Sequence, residues 1–177
     1  MVKSLSNFSV IIRTRNEEQW IGHAIQSVLD HLNKPEIIIV DNNSTDKTIE
    51  IVNQFTEDPL LNGDSKKYTT VKVFNIKDYS PGKSLNFGVK KSSKKNILII
   101  SAHCILKKFS EKEILNALRK NVCVFGNQIP IYRGKKITKR YIWSHFTDKE
   151  CTNMFSRLEN RHFLHNALAV YRKEILK

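Results

Sequence analysis

Cysteines, acidic residues and long apolar runs are all scarce in this sequence of 177 residues. Its three cysteines are Cys104, Cys123 and Cys151, and their odd number and wide spacing argue against a disulfide framework. No apolar run reaches the roughly 18 residues that a membrane-spanning helix needs, and the N-terminus shows no apolar signal region. We therefore expect a cytoplasmic protein, and its length predicts one domain over residues 1–177.

The shortage of acidic residues leaves 17 Asp and Glu against 30 Lys and Arg, a formal net charge of +13. Such an excess attracts anions, and nucleic acid, anionic lipid head groups and phosphorylated substrates all fit it. A solvated basic surface without a specific partner fits it as well. The charge therefore restricts the partners to anions without choosing among these classes.

Strand-like and helix-like segments alternate along the sequence. Residues 8–12 and 36–40 are rich in β-branched side chains and predict buried strands, and apolar residues at helical spacing follow each of them. Further strands are predicted at residues 70–74, 96–100, 122–125 and 163–171. Residues 58–67 predict a polar surface loop, and a short helix is expected to begin near Lys173. This order predicts an α/β fold with a mostly parallel sheet and right-handed crossovers.

Helix-start signals follow three of the predicted strands. The first helix is expected from Glu17 onward, with Trp20 on its apolar face. Ser80 before Pro81 is typical of an N-cap with proline in the first turn. The stretch Ser110-Glu111-Lys112-Glu113 is typical of a capping box.

Polar clusters follow the first, second and fourth predicted strands: Thr14-Arg15-Asn16-Glu17, Asp41-Asn42-Asn43 and Ser101-Ala102-His103. In an open parallel sheet, ligands bind outside the carboxyl ends of the strands. Carboxylate and amide side chains can bond a base and a ribose, while Lys83 and the free amides of a helix N-terminus suit phosphate. The three clusters together predict a pocket for a base, a ribose and a diphosphate.

The order and the amino-acid sequences of these segments resemble those of the family 2 glycosyltransferases, which are inverting enzymes with a nucleotide-diphospho-sugar-binding α/β domain. The resemblance is carried by FSVIIRTRNEEQWIGHAIQSVL, EIIIVDNNSTDKTIEIV, YSPGKSLNFGVKKS and NILIISAHCIL, and it extends to FLHNALAVYRKEIL. It implies a GT-A-like three-layer sandwich around a mostly parallel central sheet.

The resemblance also implies a set of nucleotide-sugar-binding residues. The residues after the first strand would lie along the nucleoside, and those after the second strand would contact the base or the ribose. Ser44, Thr45 and Asp46 are interpreted as a turn and a helix cap, outside the site. The implied set is Thr14, Arg15, Asn16, Glu17, Asp41, Asn42, Lys83, Asn86, Ser101, Ala102 and His103.

A divalent metal, Mn²⁺ or Mg²⁺, is implied by the resemblance, because family members usually carry an Asp-x-Asp-like motif after the fourth strand. This sequence has Ser101-Ala102-His103 there, whereas these hard ions prefer oxygen ligands. Three outcomes stay open: His103 is a nitrogen ligand for a metal such as Mn²⁺, His103 and nearby Lys or Arg neutralise the diphosphate without metal, or the site is inactive. We favour His103 beside the diphosphate and interpret Cys104 as a small buried residue.

An inverting transfer needs a general base for the acceptor hydroxyl, and the resemblance places this carboxylate beyond Lys177. No catalytic residue is therefore assigned, the domain is expected to be truncated at its C-terminal end, and activity of this chain alone is doubtful. Asp148 and Glu150 are weak candidates. The implied partners are a nucleotide-diphospho-sugar donor and a saccharide or lipid-linked acceptor, as in cell-surface polysaccharide synthesis, and the basic surface suits peripheral contact with the anionic inner face of a membrane.

Other classes of protein share some of these sequence features. A sugar-nucleotide pyrophosphorylase would share the architecture, but it needs a glycine-rich basic loop after the first strand, and IIRTRNEEQW has no glycine. A basic nucleic-acid-binding module, with Lys and Arg near Tyr132, Tyr141 and Trp143, stays an alternative, as does a non-catalytic nucleotide-binding module. Because no recognised nucleic-acid motif is present, we expect no specific nucleic-acid partner.

Overall fold

The computed structural model of the chain describes residues 6–57, 70–136, 150–156, 160–162 and 164–176. The strands are β1 (Phe8–Thr14), β2 (Glu36–Asp41), β3 (Thr70–Asn75), β4 (Asn96–Ser101), β5 (Cys123–Phe125), β6 (Ile131–Tyr132), β7 (Lys135–Lys136), β8 (Phe155–Ser156), β9 (Arg161–His162) and β10 (Leu168–Arg172). The helices are α1 (Ile21–His31), α2 (Thr48–Glu57), α3 (Pro81–Lys91) and α4 (Glu111–Leu118), with a 3₁₀ turn at Lys173–Ile175. None of these helices is long and apolar enough to cross a membrane. The loop predicted at residues 58–67 lies outside the described residues.

Six strands form one sheet in the order β3-β2-β1-β4-β10-β5. The strands β3, β2, β1 and β4 pair in parallel, whereas β10 runs antiparallel to both of its neighbours. The continuous apolar runs of β1 and β2 suit their central places, because such strands are buried on both faces. The sheet confirms the prediction of an α/β fold with a mostly parallel arrangement.

Helices cover both faces of this sheet. On one face, buried residues such as Val10 and Ile39 pack with α1, α2 and α4. On the other face, Ile11 packs in a cluster with Val89 of α3. A Cβ on Gly88 would lie only 2.6 Å from Cγ2 of Ile11, so this close approach of α3 to the sheet requires glycine. The result is the three-layer sandwich that the resemblance implied.

Two predicted helix caps are present. The Ser80 side chain accepts a hydrogen bond from the Lys83 amide at 3.2 Å, with Pro81 in the first turn of α3. The Ser110 side chain accepts one from the Glu113 amide at 3.3 Å at the start of α4. Both caps satisfy amides that lack partners inside the helix.

The first helix starts later than predicted. α1 begins at Ile21 rather than near Glu17, and Trp20 lies before it with 45% of its surface exposed. The Glu17 amide donates to Thr48 Oγ1 at 2.7 Å, and the Trp20 amide bonds to the Glu17 carbonyl as a turn at 2.9 Å. The loop after β1 is therefore held by Thr48 at the start of α2, and α1 begins only after this loop.

The last sheet strand is shorter than predicted. β10 spans only five residues, whereas residues 163–171 were expected to be extended. His165 Nδ1 accepts from the Ala167 amide at 3.2 Å, so the chain turns just before the strand. The Ser101 amide then donates to the Ala167 carbonyl at 3.0 Å, which brings the start of β10 beside the end of β4.

A buried carboxylate joins several elements at the opposite edge of the sheet. Glu36, at the start of β2, is 5% exposed and accepts hydrogen bonds from Ser9 Oγ (2.5 Å), the Ser93 amide (2.7 Å) and Lys72 Nζ (2.9 Å). Burial opposes ionisation of Glu36, but these hydrogen bonds and the Lys72 charge outweigh it and hold its pKa below the ordinary value.

Candidate functional site

The ends of β1, β2 and β4 lie side by side at one edge of the sheet. Thr14 pairs with Asp41 across β1 and β2, and Arg13 pairs with Ser101 across β1 and β4. The Asn42 amide continues this ladder by donating to the Thr14 carbonyl at 2.9 Å. The structure therefore brings together the three polar clusters that were singled out in the sequence.

The loops after β1 and β2 are bound to each other through Asn16. Asn16 has a φ of 54°, in the left-handed region that asparagine tolerates better than most residues. Its amide donates to Ser44 Oγ at 2.9 Å, and its side-chain oxygen accepts from the Thr45 amide at 2.8 Å. The Asn16 side-chain oxygen is therefore already in use as a brace between the two loops.

A second brace between these loops uses Glu18, which sequence reasoning missed. The Glu18 amide donates to Asp46 Oδ2 at 3.1 Å, and Glu18 Oε2 accepts from the Lys47 amide at 2.9 Å. Asp46 Oδ1 also accepts from the amide (3.0 Å) and hydroxyl (2.6 Å) of Thr48, which confirms its interpretation as a helix cap. Although desolvation raises the pKa of Asp46, these hydrogen bonds lower it more, so its pKa lies below the ordinary value.

Asp41 sits rigidly at the tip of β2. It is only 3% exposed, and its two carboxylate oxygens accept from the Ser44 amide at 3.0 Å and the Ser44 hydroxyl at 2.5 Å. Ser44 was interpreted as part of a turn, and it does form the turn, but it also orients Asp41. Asn42 (7% exposed) and Thr14 (4% exposed) flank this carboxylate.

His103 contacts Glu17 across the site. His103 Nδ1 lies 3.0 Å from Glu17 Oε1, and the two side chains are 60% and 23% exposed. A carboxylate can only accept here, so Nδ1 donates, and the other ring nitrogen, Nε2, makes no hydrogen bond among the described residues. The contact links the loop after β1 to the end of β4.

Cys104, next to His103, faces the core. It is half-buried and packs against the cluster beneath α1. Burial, together with the negative charge of Glu17, raises the pKa of its thiol. The neutral thiol fits the interpretation of Cys104 as a small apolar residue.

Lys83 and Asn86 are exposed on α3, whose N-terminal turn follows β3 at the same edge. The Lys83 ammonium is paired with Asp78. Because both side chains are largely exposed, this pair is weak. The Lys83 ammonium is therefore held only weakly by Asp78.

The donor set at the end of β4 does not fit a divalent metal. Within the parts of the chain that the structure describes, no group of three or more His, Cys, Asp and Glu side chains is close enough to hold an ion. Ser101 and Ala102 bring no carboxylate, and Glu17 and His103 are already engaged with each other. Mg²⁺ and Mn²⁺ need several oxygen ligands, which these side chains do not supply.

Two further residues at this edge were not anticipated. Gln128 Nε2 donates to His165 Nδ1 at 2.5 Å, between the loop after β5 and the turn before β10. Because Nδ1 accepts this bond, the His165 ring is neutral, and burial also lowers its pKa. In the sequence, His165 lies within FLHNALAVYRKEIL, one of the segments that carry the resemblance, whereas Gln128 had no signal. Of the two weak candidates for a general base, Glu150 is exposed and Asp148 lies outside the described residues.

Comparisons with known proteins agree with this architecture. The family model described as Glycosyl transferase family 2 matches residues 9–177. The structure of S. aureus TarS 1-349 in complex with UDP-GlcNAc is 22% identical, with a TM-score of 0.63, over 96% of this chain and 46% of that one. The mannosyltransferase PcManGT from Pyrobaculum calidifontis, in complex with GDP-Man and Mn²⁺, is 15% identical, with a TM-score of 0.63, over 98% of this chain and 46% of that one.

The chain thus spans about half the length of these two solved structures. At such low sequence identity, the structural similarity shows the fold alone, and that fold is of the GT-A type. A search of curated proteins found no match. The family model covers nearly the whole sequence, and on that ground the chain belongs to glycosyl transferase family 2.

Proposed function

We propose that the chain binds the nucleotide diphosphate of a sugar donor at the edge formed by β1, β2 and β4, and serves inverting sugar transfer to a saccharide or lipid-linked acceptor. The observation that carries this proposal is the convergence of three polar strand ends at one edge, with Glu17 and His103 in contact. Two similar structures hold UDP-GlcNAc and GDP-Man, which supports the donor class.

The proposed roles follow the three strand ends. Residues of the β1 loop lie along the nucleoside, and the buried Thr14 hydroxyl, which has no hydrogen-bond partner, is available there. Asp41 and Asn42 contact the base or the ribose. The hydrogen bonds from Ser44 hold the Asp41 carboxylate in one orientation, which suits it to a specific contact. The residues proposed to face the diphosphate are Lys83, Asn86, Ser101 and His103. Ala102, also expected at the site, is 2% exposed and packs in the core cluster beneath α1, so only its backbone is available there.

The reaction sets two demands on such a site. An acceptor oxygen forms a bond to the anomeric carbon while the bond from that carbon to the diphosphate oxygen breaks. The leaving diphosphate keeps the bonding electrons, so cationic groups must stabilise its charge, and a general base takes the acceptor proton. The Lys83 ammonium meets the first demand, and a protonated His103 ring would add to it. No described residue is assigned as the base.

Nucleotide binding tests the proposal directly. Calorimetric titration of the 177-residue chain with UDP and with GDP is expected to show binding of at least one of them. Asp41→Asn is expected to weaken that binding roughly tenfold, because it removes the charge and one acceptor from a preorganised carboxylate. Asp30→Asn, on the exposed side of α1, is the matched control and should bind as the unmodified chain does.

The outcomes separate two errors. If neither UDP nor GDP binds, the proposed function is wrong. If one binds and Asp41→Asn binds it equally well, the function stands and the assignment of Asp41 to the nucleotide is wrong.

A further inference from the structure

Two buried polar atoms at the tip of β1 have no hydrogen-bond partner. Among the described residues, four side chains carry such an atom: Ser6 (Oγ), Arg13 (Nη1), Thr14 (Oγ1) and Arg172 (Nε). Buried polar groups are nearly always paired, so each exception calls for a physical explanation. Two of these four belong to consecutive residues, and both lie at the edge where the ligand is proposed to bind.

The position of Arg13 follows from strand alternation. Ile11, two residues earlier, packs in the layer beneath α3, and side chains of a strand alternate between its faces. Arg13 therefore lies on the α3 side of the sheet, one step closer to the edge than Ile11. Across the sheet it pairs with Val40 on one side and Ser101 on the other.

The guanidinium of Arg13 is an uncompensated charge. It is permanently cationic and carries five N–H donors, yet the Arg13 side chain makes no hydrogen bond or ion pair among the described residues. Neither Asp41 nor Glu17 forms an ion pair with it: Asp41 accepts from Ser44, and Glu17 contacts His103. Holding a half-buried charge in this way costs free energy, which an anionic ligand would offset.

Arg172 shows the contrast on the same sheet. It also has a buried nitrogen without a partner, but its Nη1 lies 3.4 Å from Glu174 Oε1. It pairs across the sheet with Asn96, at the opposite end of β4 from Ser101. Among the described residues, only Arg13 combines a buried, unpaired guanidinium nitrogen with a place at the proposed site, because the side chain of Arg15 is exposed.

We propose that Arg13 binds the diphosphate of the donor and supplies charge neutralisation that a divalent metal would otherwise provide. This inference rests on the proposed function. A planar guanidinium donates two parallel hydrogen bonds to a phosphate, a geometry that a single ammonium cannot match. The residues after β4 lack the carboxylates that a metal needs, and Arg13 lies beside the first of them, Ser101. Arg13 and His103 thus flank the end of β4 with nitrogen donors.

The test uses Arg13→Met, which keeps much of the side-chain volume and removes the charge, with Arg172→Met as the matched control. Affinity for UDP and GDP is measured by calorimetry in the presence of EDTA, and inorganic pyrophosphate is titrated as a competitor. Arg13→Met should lose roughly 10- to 100-fold in affinity for whichever nucleotide binds, and pyrophosphate should compete correspondingly less well. Arg172→Met should match the unmodified chain, and EDTA should leave the unmodified chain's affinity unchanged.

The melting temperature without ligand provides a second readout. Because Arg13→Met removes an unpaired half-buried charge, its melting temperature should be equal to or higher than that of the unmodified chain. A structural role for Arg13 predicts the reverse, a lower melting temperature with unchanged nucleotide affinity.

Several results would overturn the inference while leaving the proposed function intact. These are unchanged nucleotide affinity in Arg13→Met, lower nucleotide affinity with unaltered pyrophosphate competition, pyrophosphate that fails to compete with the unmodified chain, and a loss of tenfold or more in EDTA. Binding of neither UDP nor GDP to the unmodified chain would overturn both.

Discussion

Glu17 holds two parts of the site at once. Its amide donates to Thr48 Oγ1, at the start of α2, and its carboxylate contacts His103, at the end of β4. The same residue therefore fixes the loop after β1 and orients an imidazole that lies 86 positions away in the chain. Because Nδ1 is used by the carboxylate and the side chain is 60% exposed, Nε2 is the nitrogen that can donate to a phosphate oxygen if the ring is protonated or act as an acceptor if it is neutral.

Two substitutions at His103 separate its two nitrogens. In His103→Asn the side-chain amide can replace Nδ1 and keep the Glu17 contact, whereas in His103→Gln it replaces Nε2. We expect His103→Asn to weaken nucleoside diphosphate binding roughly fivefold, and His103→Gln to weaken it less, because Nε2 is the nitrogen left for the ligand. Calorimetry measures the affinities.

His31→Asn is the control for His103, because His31 lies at the end of α1 remote from the site and should leave the affinity unchanged. The Glu17–His103 pair is exposed, so neither substitution at His103 should change the free energy of unfolding by more than about 0.5 kcal/mol. Equal affinities for both His103 variants and the unmodified chain would show that this imidazole does not contact the nucleotide.

At the scale of elements, two edges of the sheet serve different purposes. At one edge the loops after β1 and β2 are braced by Asn16 and Glu18 around the proposed site. At the other edge Glu36 binds Ser9 of β1, Lys72 of β3 and the Ser93 amide before β4. The braces at both edges leave the strands little freedom to slide, so the strand ends that form the site are held in register.

Glu36→Gln is expected to lower the free energy of unfolding at neutral pH by about 1–3 kcal/mol, because it removes a buried charged acceptor from the Ser9 hydroxyl, the Ser93 amide and the Lys72 ammonium. The folded-state pKa of Glu36 lies below its ordinary value of 4.5. The stabilisation is therefore present above about pH 4.5 and is lost as the pH falls through the folded-state pKa. Urea unfolding followed between pH 7 and pH 3 should show the variant and the unmodified chain converging on acidification.

Glu50→Gln, on the exposed surface of α2, is the control for Glu36 and should track the unmodified chain at every pH. A constant difference between Glu36→Gln and the unmodified chain down to pH 3 would mean that the Glu36 charge does not contribute to stability.

At the scale of the whole molecule, β10 joins the C-terminal region to the core. It enters the sheet between β4 and β5, with Ala169 and Val170 buried. Val170 belongs to the cluster under α1 and Ala169 to the cluster under α3, so one strand contributes to both layers. The N-terminal βα units and the last strand therefore share their cores, and we propose that they unfold together as one domain.

Unfolding of the chain is expected to be one cooperative transition, in which the calorimetric and van't Hoff enthalpies agree. Removing residues 167–177 should abolish that transition, because it deletes β10 and exposes the sides of β4 and β5 that pair with it. Removing only residues 174–177, which follow β10, is the control and should keep a single transition at a similar temperature. Two resolved transitions in the unmodified chain would contradict the single domain.

The sequence by itself determined the alternation of buried strands and amphipathic helices, because continuous apolar runs and helical spacing are local properties of the chain. It also placed polar clusters after β1, β2 and β4, and the segments that resemble the family pointed to the GT-A fold. The start of α1 and the length of β10 were misjudged, because Thr48 and His165 hold those backbones through bonds that no local pattern reveals.

Only the tertiary structure decided how the polar residues are used. Asp41 is bonded by Ser44, Glu17 meets His103, and Arg13 stands beside Ser101 without a partner. The contact of Glu17 with His103 and the place of Arg13 beside Ser101 both join residues that are far apart in sequence. Whether a charge has a partner therefore depends on which side chains the fold brings together. Strand pairing sets the distances between them, so the compensation of charge at the site is a property of the folded sheet rather than of any single motif.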